Sequence, residues 1–344
     1  MPRSRMPSLS RRGLLAAGGA AGLGALVTAC GGDDPGSGGS GSGKDGGGTW
    51  SFTDDRGKKV GLGRRPRHVV AFVASAAALY DFGAADRIVG VFGPTTLKDG
   101  APDPQAGDLD VRKVTSLGNV WGQFNVEKYA SLDPDLLITN MYDPGALWYV
   151  PDDSKQKILT LAPSVALTTA RVSLLEPIKR YADLAASLGA DLTAKRITDA
   201  KARFEAAAES LRTAAKGNRV KVLAASGSAD LFYVSNPGVN ADLMYFRELG
   251  VDLVVPRKTD KGGYFEGLSW ENADRYPADV ILLDNRTSAL QPKDLAAKPT
   301  WARLPAVRAG QVTPWSSEPR FSYAGAAPLL ESLAKAVRDA RKVV

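Results

Sequence analysis

Histidine and cysteine are almost absent from this sequence, since its 344 residues include one of each, His68 and Cys30. Protein sites for zinc or manganese normally draw on several His or Cys ligands, so direct capture of such a metal is not expected. A single cysteine cannot form an intrachain disulfide. One histidine, placed at the start of an apolar strand-like run, is also a weak basis for acid–base catalysis.

Catalytic motifs and a nucleic-acid-binding pattern are missing as well. There is no Gly-x-Ser-x-Gly elbow and no dinucleotide fingerprint between a strand and a helix, so we expect neither an enzyme nor a cofactor. The net charge of +7 includes four arginines before Cys30, where no acidic residue occurs, which leaves +3 for the rest. No basic run carries interleaved aromatics, which argues against nucleic acid as a partner. An exported hydrolase that uses carboxylates alone is the alternative from another functional class.

The first 30 residues resemble the export signal of a lipoprotein. Basic residues come first, then an apolar stretch of about 14 residues at 14–27, then small residues before Cys30. This stretch is shorter than the roughly 20 residues of a membrane-spanning helix. Residues 10–15 resemble a twin-arginine signal, with general secretion as the alternative, and residues 26–30 resemble a lipobox. We therefore expect a signal peptide over 1–29 and a lipid on Cys30 that tethers the protein to the outer face of a membrane.

Residues 31–48 consist almost entirely of Gly, Ser and Asp. A segment of this composition buries too little apolar surface to fold and acts as a flexible spacer. We expect residues 30–49 to be a lipidated linker that holds the folded part off the membrane.

Strand-like and helix-like apolar runs alternate from Trp50 onward, which predicts an α/β fold with largely parallel sheets. Residues 191–216 have the pattern of one long amphipathic helix, with Asp191 as a start signal and Gly217 as a stop signal. The sequence therefore predicts two Rossmann-like α/β lobes with parallel-type sheets, over residues 50–190 and 217–344, joined by a single long α-helix over 191–216.

An internal repeat supports two similar lobes. Residues 125–138 align without a gap, at an offset of 144, with residues 269–282. Asn125 and Ser269 are both favourable helix N-caps, and each helix leads to an Asp and an apolar strand. One short repeat of this kind also arises by chance in α/β proteins.

Several segments, in order along the chain, resemble the helical-backbone solute-binding proteins of ABC importers for ferric siderophores, heme and cobalamin. Residues 52–60 resemble the opening hairpin of that family, and residues 66–71 with 82–91 resemble its first strand, helix and second strand. Residues 132–138 resemble its L-x-P-D-L-V-I strand, and residues 306–312 its V-x-x-G-x-V turn. The resemblance implies two rigid lobes with a ligand in the cleft between them.

The same resemblance implies partners for this chain, an ABC permease and its ATPase. In the family, one glutamate on each lobe pairs with permease arginines, and Glu127 and Glu271 match these positions. The alternative is that both carboxylates only complement helix dipoles. We expect a monomer.

Ligand contacts are expected at loops that follow strand carboxyl ends. The offset of 144 places residues 140–142 after an N-lobe strand and residues 284–286 after a C-lobe strand, which predicts that Tyr142 and Arg286 face each other. Aromatic faces and arginines suit the organic shell and the metal-binding oxygens of a chelate. Ordinary packing or a salt bridge is the alternative for each. The candidate ligand-binding residues are Tyr142, Trp148, Tyr149, Tyr233, Tyr264, Arg286, Trp315 and Arg320.

The ligand predicted from these residues is a ferric siderophore, so iron would arrive already chelated. Two arginines among several carboxylates and many aromatics favour a neutral or cationic hydroxamate chelate over an anionic catecholate. Heme or a corrinoid is the alternative within the same fold. A heme site would have to use a tyrosine such as Tyr142 or Tyr233 as its axial ligand.

Overall fold

A β-hairpin and a five-stranded sheet form the N-terminal part of residues 48–344, which a computed structural model describes. The predicted signal peptide, Cys30 and residues 30–47 of the predicted linker lie outside these residues. The strands are β1 (Trp50–Thr53), β2 (Lys59–Leu62), β3 (Val69–Phe72), β4 (Ile88–Phe92), β5 (Thr115–Ser116), β6 (Leu136–Met141) and β7 (Ser164–Thr168). The helices are α1 (Val73–Asp81), α2 (Val126–Ser131), α3 (Asp152–Leu161) and α4 (Leu175–Ser187).

The N-lobe sheet has the order β5-β4-β3-β6-β7, and its paired strands are all parallel. Every residue of β3 and β6 is buried, as expected for central strands that are covered on both faces. The hairpin of β1 and β2 is antiparallel, which confirms the opening hairpin predicted at residues 52–60. It is fixed to the sheet through Asp54, which accepts a hydrogen bond from the Ala166 amide at 3.1 Å.

One long helix, α5 (Lys195–Gly217), follows the N-lobe. It begins four residues later than predicted because the Asp191 side chain accepts hydrogen bonds from the amide and hydroxyl of Thr193 and forms a separate turn. Its end at Gly217 agrees with the predicted stop. The 23 residues span about 34 Å.

The C-terminal part of the described chain contains a six-stranded sheet. Its strands are β8 (Lys221–Gly227), β9 (Leu231–Ser235), β10 (Asp252–Leu253), β11 (Phe265–Ser269), β12 (Val280–Asp284) and β13 (Val312–Trp315). Its helices are α6 (Ala241–Glu248), α7 (Pro292–Leu295), α8 (Pro299–Arg303), α9 (Pro305–Arg308) and α10 (Tyr323–Asp339). Ser322 caps α10, since its hydroxyl accepts from the Gly325 amide at 2.9 Å.

The C-lobe sheet is mixed. Its strand order is β11-β9-β8-β12-β13, with β10 beside β8. Strands β8, β10, β12 and β13 pair in parallel, as predicted, whereas β9 pairs antiparallel with both β8 and β11. This antiparallel addition is not part of the sequence prediction.

A continuous apolar core runs through both lobes, and α5 and α10 lie at its centre. Phe204 of α5 stacks on Tyr245 of α6 at 5.8 Å and contacts Tyr323 of α10 at 5.6 Å, while Tyr323 also meets Phe82 of the N-lobe at 5.9 Å. Burial of one such aromatic side chain is worth roughly 1.5–3 kcal/mol. The α/β fold of two lobes joined by one long helix is therefore confirmed, while the boundaries 50–190 and 217–344 stay a prediction.

The internal repeat is only partly symmetric. Asn125 caps α2 by accepting from the Lys128 amide at 2.8 Å. In the C-lobe the matching segment is a single 3₁₀ turn, Trp270–Asn272, and Ser269 makes no capping hydrogen bond. Ser269 therefore occupies the predicted N-cap position of this turn without a capping hydrogen bond, and its hydroxyl accepts from Asn272 Nδ2 at 2.9 Å.

No helix among residues 48–344 combines the length and the apolar character required to cross a membrane.

Candidate functional site

A cavity of about 420 Å³ lies between the two lobes. The N-lobe contributes the segment after β6, and the C-lobe contributes the segments after β12 and β13 together with the ends of β8 and β9. Within the C-lobe sheet the carboxyl ends of the parallel strands β8, β12 and β13 meet at one edge, and the segment after β6 of the N-lobe sheet lies on the other side of the cavity. Six of the eight predicted ligand-binding residues line the cavity, namely Tyr142, Trp148, Tyr233, Tyr264, Arg286 and Trp315.

Aromatic rings form the N-lobe wall. Tyr142 and Trp148 have ring centroids 4.7 Å apart, and Trp148 in turn lies 4.9 Å from Trp121. Trp121 is 62% exposed, so the row of rings extends from the cavity to solvent. Burial raises the pKa of Tyr142 well above its usual value, so its phenol stays neutral.

Charge is concentrated on the C-lobe side, around Arg286. Its guanidinium bonds the Asp284 carboxylate, with Nη2 to Oδ2 at 2.7 Å and Nε to Oδ1 at 3.1 Å, and Nη1 pairs with Glu318. Burial alone lowers the pKa of Arg286, but Glu318 and Asp284 raise it more, so Arg286 stays a cation. Burial raises the pKa of Glu318, an effect that Arg286 partly offsets. The predicted salt bridge of Arg286 and its place in the cavity therefore coexist.

Glu318 also links the two lobes, because the Trp148 indole donates to its Oε2 at 3.3 Å. A further carboxyl, that of Asp242, lies behind the cavity wall and accepts from the Trp315 indole at 2.5 Å. Burial raises the pKa of Asp242 to about 7. Neither acid was among the predicted site residues.

Tyr149 and Arg320 do not line this cavity. Tyr149 stacks on Phe72 at 5.3 Å and meets Trp121 at 5.0 Å, so it supports the aromatic wall from outside. Arg320 instead forms a salt bridge, which was the alternative prediction for this residue. Its Nη1 lies 3.4 Å from a carboxylate oxygen of Asp81.

Besides the bond from Trp148 to Glu318, two groups of polar side chains join the lobes at different depths. The first, which we call the buried junction, consists of Asp81, Arg320 and Ser322, and the Ser322 hydroxyl donates to Asp81 at 2.5 Å. The side chains of Asp81 and Arg320 are 4% and 17% exposed. Burial raises the pKa of Asp81, while Arg320 and Ser322 lower it in part.

The second contact, which we call the exposed junction, consists of Tyr142, Asp143, Arg171, Gly262 and Tyr264. Arg171 Nη2 pairs with Asp143 at 3.0 Å, and these side chains are 37% and 52% exposed. The Tyr264 hydroxyl donates across the cavity end to the Tyr142 carbonyl at 2.6 Å. The sequence prediction did not include Arg171, although it follows β7 just as Tyr142 follows β6.

The two glutamates predicted to dock a permease are both exposed. Glu127 is in the first turn of α2. Glu271 follows Trp270, whose indole donates at 3.2 Å to the carbonyl of Ser228, a cavity-lining residue. The hydrogen bond from the Ser269 side chain is the main cause that lowers the pKa of the Glu271 carboxyl, so this carboxyl stays ionised. The single turn at Glu271 provides little helix dipole to complement.

His68 lies outside the cavity, at the start of β3, with Nδ1 2.9 Å from the Asp133 carbonyl. Among residues 48–344, no group of three or more His, Cys, Asp or Glu side chains is placed to hold a metal ion.

Comparison with known proteins identifies the family. The model of the periplasmic binding protein family matches residues 69–319. This chain belongs to the periplasmic binding protein family. The resemblance to helical-backbone solute-binding proteins is thereby confirmed. No curated protein sequence gives a significant match.

Among solved structures, this periplasmic binding protein is similar to DesE, a ferric-siderophore receptor protein from Streptomyces coelicolor, at 55% identity and a TM-score of 0.83. The match covers 86% of this chain and 100% of DesE. The petrobactin-binding protein YclQ from Bacillus subtilis matches at 17% identity and a TM-score of 0.61, over 85% of this chain and 98% of YclQ. The FhuD protein from S. pseudintermedius matches at 21% identity and 0.57, over 85% and 98%. The last two similarities concern the fold.

Proposed function

We propose that this protein captures a ferric siderophore, with a hydroxamate type favoured, in the cavity between its lobes and delivers it to an ABC permease. The observation that carries the proposal is the 55% identity to a ferric-siderophore receptor over the whole of that receptor's chain. The cavity supports it, because rigid aromatic faces line one side and a fixed arginine lies on the other. No bond of the ligand changes, so the role is binding and not catalysis.

The balance of charge supports a neutral or cationic chelate. Asp143, Asp284 and Glu318 line the cavity together with one arginine, Arg286, whose guanidinium is already bonded to two of these carboxylates. A strongly anionic catecholate would meet these carboxylates without a free cluster of arginines. The prediction of a hydroxamate ligand therefore agrees with the charges that surround the cavity.

A fluorescence titration tests this function. Trp148 and Trp315 line the cavity, so a ferric chelate bound there should quench their emission. We expect saturable quenching by ferrioxamine B and much weaker quenching by ferric enterobactin or hemin. Arg286→Ala should weaken binding, whereas Arg203→Ala, which removes an exposed pair with Glu331, serves as the matched control. Absence of saturable quenching by every ferric chelate would overturn the proposal.

Heme as the ligand is disfavoured by the same cavity. An axial tyrosine must bind iron as tyrosinate, and burial holds Tyr142 in its neutral form. A Soret shift on addition of hemin, lost in Tyr233→Phe, would restore the heme alternative.

We further propose that Glu127 and Glu271 dock the permease. Both are exposed. Glu271 is next in sequence to Trp270, whose indole donates a hydrogen bond to the carbonyl of Ser228 at the edge of the cavity. The Glu127→Ala, Glu271→Ala double variant should keep its affinity for the chelate and lose uptake in cells. Loss of chelate binding in the purified double variant would contradict the docking role. Exposed Glu205→Ala with Glu209→Ala on α5 is the matched control.

The predicted lipid anchor completes the proposal. An extracytoplasmic binding protein needs a tether to stay near its permease when no outer membrane confines it, and Cys30 lies in the lipobox-like segment 26–30. We expect Cys30→Ala to move the protein from the membrane fraction to the medium. A variant that remains in the membrane fraction would contradict lipidation at this position.

A further inference from the structure

Arg171 occupies a special backbone position between the lobes. Its φ of 61° lies in the left-handed region that residues other than glycine rarely adopt. The conformation is held from the C-lobe, because the Arg171 amide donates to the Val239 carbonyl at 2.7 Å and Ala170 pairs with Asn240. The surrounding structure thus aims the side chain along the end of the cavity.

The guanidinium of Arg171 makes four hydrogen bonds to both lobes. On the N-lobe side, Nη1 donates to the Tyr142 carbonyl at 2.5 Å and Nη2 to Asp143 at 3.0 Å. On the C-lobe side, Nη1 donates to the Tyr264 hydroxyl at 3.1 Å and Nη2 to the Gly262 carbonyl at 2.7 Å. Its Cζ also lies 5.0 Å from the centroid of the Tyr264 ring.

The partner of Arg171 in the C-lobe is the tip of the long connection between β10 and β11. In this tip, Asp260 accepts from the Tyr264 amide at 2.7 Å, and the Gly263 amide donates to the Asp260 carbonyl at 3.0 Å. The tip therefore forms its own turn. Tyr264, which is part of this turn, lines the cavity. Three hydrogen bonds tie the tip to the N-lobe, and each uses Arg171 or the Tyr142 carbonyl.

We infer that Arg171 is a positioning residue that clips this tip onto the N-lobe and thereby sets how fast a ligand leaves the cavity. It lies outside the cavity lining and acts through Tyr142 and Tyr264, one from each lobe. Removal of the guanidinium leaves Tyr264 with one bond to the N-lobe, through its own hydroxyl, so the tip opens more often. The identity of the ligand in this inference rests on the proposed function, whereas the behaviour of the tip does not depend on it.

The test compares Arg171→Gly with the wild type in two measurements. Glycine fits the positive φ, so this variant removes the side chain without backbone strain. In the ligand-free proteins, hydrogen exchange of residues 258–265 should lose protection in Arg171→Gly. With ferrioxamine B bound, dissociation followed by tryptophan fluorescence should be about tenfold faster, as expected for the loss of charge-assisted hydrogen bonds.

Two further variants keep the result specific. Arg171→Lys retains the positive charge but not the planar guanidinium, which can donate to several acceptors at once. The rate at which the ligand dissociates from this variant should fall between the rates for the wild type and Arg171→Gly. Arg203→Ala removes a bidentate arginine pair far from the cavity and should change neither measurement.

Unchanged exchange in residues 258–265 and an unchanged dissociation rate in Arg171→Gly would overturn the clip. If the wild type binds no ferric chelate but its tip loses protection in Arg171→Gly, the proposed function fails while the clip stands.

Discussion

The buried and exposed junctions each contain an arginine–aspartate pair, in different surroundings. Asp81 and Arg320 come from opposite lobes, whereas Arg171 and Asp143 both belong to the N-lobe, and it is Arg171 that bonds to Gly262 and Tyr264 of the C-lobe. Asp81 and Arg320 are almost removed from solvent, whereas Arg171 and Asp143 are each more than a third exposed. A buried charge that loses its partner is costly, while an exposed ion pair is worth little on average. The first contact therefore fixes the lobes, and the second can open and close at small cost.

This difference shows where motion around the cavity is expected. The buried junction lies beside the continuous core around α5 and α10, and it resists separation of the lobes. The exposed junction holds only the tip that carries Gly262 and Tyr264. Exchange of a ligand thus requires opening of one loop and little rotation of one lobe against the other, in agreement with the rigid lobes implied by the family resemblance.

The largest expected effect concerns Asp242, which lies behind the cavity wall, where its carboxyl accepts from the Trp315 indole. Burial raises the pKa of Asp242 from 3.8 to about 7. Between these values the unfolded chain has released the proton and the folded protein has kept it, so the free energy of unfolding falls as pH rises. The loss amounts to about 4 kcal/mol at most and is complete above pH 7.

Asp242→Asn keeps an oxygen acceptor for the Trp315 indole and removes the titration. Urea unfolding at pH 4 and pH 8 should show a smaller drop in stability for the variant than for the wild type. An equal drop in the free energy of unfolding of both proteins would show that the pH dependence comes from other buried acids and not from Asp242.

The next effect breaks the buried junction. Asp81→Ala leaves the Arg320 guanidinium and the Ser322 hydroxyl without their shared acceptor inside the protein. We expect the free energy of unfolding to fall by about 3 kcal/mol in urea titrations. A change below about 1 kcal/mol would show that solvent or Asp108, whose carboxylate lies 3.6 Å from Arg320 Nη1, replaces Asp81 and that the junction is not effectively buried.

The matched change in the exposed junction is Asp143→Ala. It also removes a carboxylate from an arginine pair, but this pair lies within the N-lobe and both of its side chains are in contact with water. The expected loss of stability is about 0.5 kcal/mol. A loss as large as that of Asp81→Ala would remove the distinction between the two junctions.

Salt should have the smallest effect. Sodium chloride at about 1 M shortens the screening length to roughly 3 Å and weakens the Arg171–Asp143 pair. Hydrogen exchange of residues 258–265 should accelerate slightly in the wild type and less in Asp143→Ala. Equal acceleration in the two proteins would show that the pair does not hold the tip.

The sequence predicted the parallel elements well because their apolar runs are local and regular. Strands β6 and β12 end within residues 140–142 and 284–286, where the repeat predicts their ends, and α5 ends at Gly217, the predicted stop. The antiparallel pairing of β9 with β11 was not predicted, because helix α6 separates the two strands and no short turn marks their pairing. The start of α5 was misplaced because Asp191 is a turn former as well as a helix cap.

The cavity was predicted in part by the same rule of strand carboxyl ends. The rule placed Tyr142 and Arg286 at one cavity. Arg171 follows β7, a strand outside the repeat, so the offset of 144 does not point to it. Glu318 follows β13 and falls under the same rule, although no spacing in the sequence reveals its bond to Trp148 of the other lobe. Asp242 lies in helix α6, outside the rule, and its contact with Trp315 is likewise not visible in the sequence.

The most direct test of ligand capture is a crystal of the protein grown with ferrioxamine B and measured at the iron absorption edge. We expect a single anomalous iron peak between the lobes, in the cavity bounded by Tyr142, Tyr264 and Arg286. An iron peak elsewhere on the protein, or a cavity without iron at saturating chelate, would contradict it.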